Sequence, residues 1–176
     1  MGKELFHPAP PGLPAPVRPG RVESDTARMI QTTNWHEILN IRDDTLVRAG
    51  ALWLYGFLHE AHKIVQENRS VEGSYWHGLV HRSEGDFSNS LYWFGRVGRH
   101  PIFPMLRAAV QAMNDSADKS KDALNLLLRG SEWNPGTFID LCQQAYNGPV
   151  KDMELLQRIA AKEYDLLMAY TVQQAS

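Results

Sequence analysis

In the stretch "YWHGLVHRSEGDFSNSLYWFGRVGRHP", residues 75–101, His77, His81 and Glu84 stand at i, i+4 and i+7. At 100° per residue they share one helical stripe, within about 60° of arc. Imidazole nitrogens and a carboxylate in one stripe are donors suited to zinc, iron, nickel or copper. A second histidine pair, His59 and His62, lies upstream at i, i+3. Counting outward from the connection near Arg69 and Ser70, His62 comes level with His77 and His59 with His81. If the two helices pack antiparallel, His59, His62, His77, His81 and Glu84 could converge on one transition metal.

Other features favour packing. His59 shares its arc with Arg48 and Gln66, which suits a solvated side chain. The spacing "HEAH" is one residue short of the zincin HExxH, and the ExxH pairs of di-iron bundles are missing. A metal-free network of buried histidines and carboxylate, each hydrogen-bonded to a neighbour, is therefore a second reading. A third is a polar-aromatic pocket for a small ligand. It would be lined by His62, Tyr75, Trp76, His77, His81, Arg82, Glu84, Trp93 and Arg96. Arg82, Arg96, Arg99 and His100, near Glu84 and Asp86, would then clamp an anion or carboxylate, whereas ion pairs inside the hairpin would neutralise them. The aromatics fall at helical spacing, which equally fits a core. Cys142 follows Leu141 in mid-helix with no nearby cation and reads as packing. No Gly-rich phosphate loop follows a strand, and no GxSxG elbow is present.

The elements that must position these residues are helices. Asn34 with Glu37 forms a capping box ahead of "WHEIL". Asp43 opens a long helix to about Glu67, with Leu46, Gly50, Trp53, Phe57, Ala61 and Ile64 on one arc. A helix over 73–84 ends at Gly85; Asp86 caps the next, Phe87 to Val97, and Gly98 stops it. Pro101 and Pro104 restart a helix to about Asn114, and "NDSADKSKD" reads as a polar loop. Ser120 caps a helix ending at Gly130. Asn134-Pro135 starts another, with Trp133 and Phe138 as a hydrophobic staple. Gly148-Pro149 breaks the chain before a last helix, Val150 to about Gln173. No stretch shows strand alternation. The expectation is an all-α single-domain bundle of seven or eight helices, residues 23–176, behind a proline-rich arm, residues 1–22. Six of the ten prolines lie in residues 1–20, so the arm should be extended and dispensable for folding.

Residues 72–101 resemble a single tetratricopeptide-like helix pair. Gly85-Asp86-Phe87 matches the turn, Gly78 and Ser90 the small packing positions, and Phe94 and Val97 the large ones. In that register His77 and His81 face the following helix and pack against Ser90 and Phe94. No second copy occurs at that period, so the chain is not a repeat array. The blocks "GSYWHGLVHRSEGDFSNSLYWFGRVGRHPIF" and "EWNPGTFIDLC" are similar to those of a widespread family of uncharacterised proteins. That resemblance implies an all-α fold and brings no activity, substrate or cofactor.

The chain has 176 residues, 43% of them hydrophobic, enough for one domain with a sizeable core. A net charge of −2 offers nothing to neutralise a phosphate backbone, which argues against nucleic acid. "MGKELFHPAPPGLPAPVRPGR" lacks the apolar core of a signal peptide, and Phe6 stands where a myristoylation motif wants Ser or Thr. With a lone cysteine and no membrane-spanning run, the expected location is the cytoplasm. The leading functional expectation is a binding or interaction module without a cofactor, taking a small molecule or protein at the central hairpin. The alternative is a metal-dependent enzyme using the histidines, and the third is a structural homo-oligomer.

Overall fold

The computed structural model describes residues 22–116, 121–148 and 153–176. Residues 1–21 of the proline-rich arm, the cap expected at Ser120, and Pro149 and Val150 lie outside the described residues, and Val22, expected in the arm, begins the first helix. Every regular element described is an α-helix, and there are ten, more than the seven or eight expected. They are α1 (Val22–Thr32), α2 (Trp35–Leu39), α3 (Thr45–Leu54), α4 (Leu58–Val65), α5 (Val71–Glu84), α6 (Phe87–Val97), α7 (Ile102–Ser116), α8 (Lys121–Leu127), α9 (Pro135–Asn147) and α10 (Met153–Gln174). Among the described residues no helix is long and apolar enough to cross a membrane.

Local chemistry sets most of the boundaries. The Asn34, Ser70, Asp86 and Asn134 side chains each accept a backbone N–H from the first turn they precede. Pro135 takes the first helical position, and the Trp133 and Phe138 rings lie 5.7 Å apart as a staple across it. The polar stretch after Asn114 begins as helix, since α7 continues to Ser116.

The single helix expected over Asp43 to Glu67 is two. Gly56 adopts φ +79°, a left-handed conformation that only glycine enters without strain, and α3 ends before it. The apolar arc runs through the break, so periodicity alone does not reveal it. Asp43 still serves the start, accepting the Thr45 N–H at 2.9 Å.

Helix α5 is the centre of the bundle, with Tyr75, Trp76, Leu79 and Val80 buried. It packs between α4 and α6, with α3 also against it, and α10 lies against α3, α7 and α9. Trp76 reaches α10, its indole N–H donating to Thr171 at 3.0 Å. Trp53 on α3 stacks on Tyr164 of α10 at 5.6 Å between ring centres. The α5–α6 pair is close because Gly78 has no side chain. A Cβ there would lie 2.8 Å from the Phe94 ring, and the Ser90 hydroxyl donates to the Gly78 carbonyl at 2.8 Å.

Candidate metal centre

Three of the four candidate histidines meet. One ring nitrogen from each of His62 on α4 and His77 and His81 on α5 lies within 4.8 Å of the other two. His62 Nε2 is 2.9 Å from His77 Nε2. The His77 and His81 rings stack at 4.8 Å, as the i, i+4 spacing requires. His62 stands edge-on to both, at 4.7 and 4.8 Å between ring centres. His59 does not join them: it is exposed. The break at Gly56 sets the phase of α4, and His62 is the α4 imidazole turned towards α5.

Carboxylates line the other edges of the rings. Glu84 spans two histidines, with Oε1 3.6 Å from His62 Nδ1 and Oε2 3.5 Å from His81 Nδ1. These are ion-pair separations, longer than hydrogen bonds. Asp86 Oδ2 lies 3.7 Å from His81 Nδ1, a neighbour that the stripe argument did not include. Asp86 also caps α6, bonding Ser88 and Asn89, and the Asn89 bonds hold its carboxyl below the usual carboxylate range. The Nδ1 atoms of His77 and His81 are buried without a hydrogen-bond partner.

Burial keeps these imidazoles neutral. His77 and His81 are 4% and 8% exposed. Desolvation, with the nearby His62 and His81, pulls the His77 pKa down to about 4. His81 is lowered as well, first by burial and then by His62, against the opposing pull of Glu84 and Asp86. Near neutral pH both therefore present lone pairs, the form that coordinates a metal.

The far wall is aromatic. The Trp93 indole stacks on His77 at 3.9 Å between ring centres, and Tyr92 meets Trp93 edge-on at 5.4 Å. The Arg96 guanidinium lies over the Trp93 ring, 5.4 Å from its centre. His77 thus touches both neighbouring helices, whereas Ser90 and Phe94 contact Gly78 in its place.

Tyr75, Trp76 and Arg82 are not brought to this cluster. Tyr75 and Arg82 point to the opposite face of α5, where both bond Glu163 of α10, at 2.9 and 2.5 Å. Both residues of the ion pair are buried, and Arg82 also lies over the Phe138 ring at 4.8 Å. Burial alone would lower the Arg82 pKa, but Glu163, Cys142 and Tyr75 raise it further, so it stays charged. Trp76 is wholly buried against Trp53 and Tyr164. Cys142 packs as expected, its thiol pushed up to about 11 by burial. Glu163 escaped the sequence reading, although it interrupts the apolar stripe of Ile159, Leu166 and Leu167. A carboxylate on such a stripe signals a buried cationic partner.

Comparison with protein-family models, curated proteins and solved structures gives no match.

Proposed function

We propose that this helical bundle is a binding module whose ligand is a divalent transition metal ion, held by His62, His77 and His81. The observation that carries the reading is the approach of three imidazoles on two helices to within 4.8 Å. A tetrahedral ion at about 2.0–2.1 Å from each nitrogen separates its ligand atoms by about 3.3 Å. The 2.9 Å pair, His62 and His77, needs to open slightly, and the wider contacts need to close.

The carboxylates supply orientation. Glu84 faces Nδ1 of both His62 and His81, so it favours a proton there and leaves each Nε2 free for the ion. Glu84 is then a positioning residue in place of a fourth ligand. Three imidazoles and one open position make the donor set of a catalytic zinc site, as distinct from a closed structural one. The metal-dependent enzyme expected from the sequence as the alternative would act through that open position.

The test is elemental analysis of protein purified without a metal-affinity tag, followed by zinc titration calorimetry. The expected result is one ion per chain. His62→Ala, His77→Ala and His81→Ala should each weaken binding at least about 100-fold while remaining helical, and Glu84→Gln should weaken it about 10-fold or more. Absence of stoichiometric metal, with the His77 and His81 variants instead destabilised by about 1–3 kcal/mol, would establish the packing network in its place.

A further inference from the structure

The geometry points to a small oxyanion, a carboxylate or a phosphate, as the second ligand of this centre, bound between the ion and Arg96. This inference rests on the metal reading above and concerns what the open position accepts.

Three neutral imidazoles leave a divalent ion with its full charge. Glu84 and Asp86 are the carboxylates at the cluster, and Asp86 is engaged by Ser88 and Asn89 as the α6 cap. Arg96 adds a further positive charge on the adjacent wall. The loaded site is thus net cationic and favours an anion in the remaining position.

Arg96 is also the uncommitted arginine of this hairpin. Arg82 is paired with Glu163 and Arg99 with Glu132. Arg96 is exposed and pairs with no carboxylate among the described residues. Its guanidinium is held over Trp93, and Trp93 is held on His77. Those two separations together place the guanidinium carbon within about 9 Å of the His77 ring centre. To donate two N–H groups to an oxyanion that has one oxygen on the ion, the Arg96 side chain must swing round the edge of the Trp93 indole.

Cobalt(II), which shares the ligand preferences of zinc and absorbs visible light, is the probe. The full chain is loaded with cobalt and titrated with inorganic phosphate in one series and acetate in another, at constant ionic strength. A saturable change in the cobalt absorption is expected with at least one of them, and the stronger responder identifies the class. Arg96→Gln should weaken that binding about 10-fold, whereas Arg99→Gln should match the parent. Cobalt affinity is read separately for each protein. Failure to take up cobalt would remove the metal reading and this inference together. Cobalt uptake with no response to either anion would overturn this inference alone. Equal weakening by both arginine variants would replace a contact at Arg96 with a general effect of surface charge, and so would also overturn it.

Discussion

The two faces of α5 carry two buried polar clusters built on opposite principles. On one face Arg82 and Glu163 neutralise each other, and Tyr75 takes the second carboxylate oxygen. Only Arg82 Nη1 is left over, with the Phe138 ring 4.8 Å from the guanidinium carbon. On the other face, His77 and His81 are neutral and keep Nδ1 atoms with no partner, while Glu84 and Asp86 stand just beyond hydrogen-bond length. The first cluster balances its charges within the chain. The second leaves its Nδ1 atoms short of their carboxylate partners, with the imidazoles neutral. Burial of polar groups is common to both, so burial alone does not mark a site.

The comparison can be broken or sharpened by four measurements. The largest effect belongs to the charge-balanced cluster. Arg82→Ala leaves Glu163 buried and uncompensated, and urea melts should show a loss of about 3–5 kcal/mol. Replacing both residues by apolar ones of similar volume should recover most of it. An unchanged midpoint in the single variant would show that the pair adds nothing.

Acid comes next, and it should act on the histidine face. The folded-state pKa of His77 lies below its unfolded value near 6.5, so the unfolded chain takes up the proton first. Stability from this group is intact above pH 6.5 and falls as pH drops towards about 4. The loss for metal-free protein is about 3 kcal/mol across that window. His81 shifts in the same direction and adds to it. His77→Gln should flatten the profile measured by urea unfolding, whereas a variant as pH-sensitive as the parent would remove His77 as the cause.

Gly78→Leu tests the scaffold shared by both faces. A Cβ already meets Phe94 at 2.8 Å, so the larger side chain should cost about 1–3 kcal/mol or more by overpacking. Retention of the parent midpoint would show that α5 and α6 separate at little cost. The smallest effect is expected at Asp86. Asp86→Ala removes the α6 cap for about 1 kcal/mol and should leave zinc affinity within a few-fold, because Asp86 is engaged by α6. A loss as large as that from His81→Ala would make Asp86 a ligand.

The all-α class, the caps at Asn34, Asp86 and Asn134, and the stripe of His77, His81 and Glu84 were legible because each is encoded within a few residues. Matching heights across the connection also brought His62 to His77. The rest depends on which helix faces which. Tyr75 and Arg82 were expected with the histidines, yet their partner Glu163 lies 88 and 81 residues away, where no periodicity reaches. The split of the long helix at Gly56 had a signal, a lone glycine in a helical pattern, but the apolar arc masked it. The exposure of His59 was legible, since it shares its arc with Arg48 and Gln66.

That break also bears on rates. Two donors sit on the buried central helix, already stacked, while the third rides on α4, an eight-residue segment between Gly56 and the Ser70 cap. Capture of an ion should therefore be biphasic. A fast collision would form a two-coordinate encounter complex with His77 and His81, and a slower, concentration-independent step would follow as α4 carries His62 in. Stopped-flow mixing with zinc, read by Trp93 emission, should resolve the two phases. Substituting Gly56 with alanine should change the second rate constant and leave the first untouched.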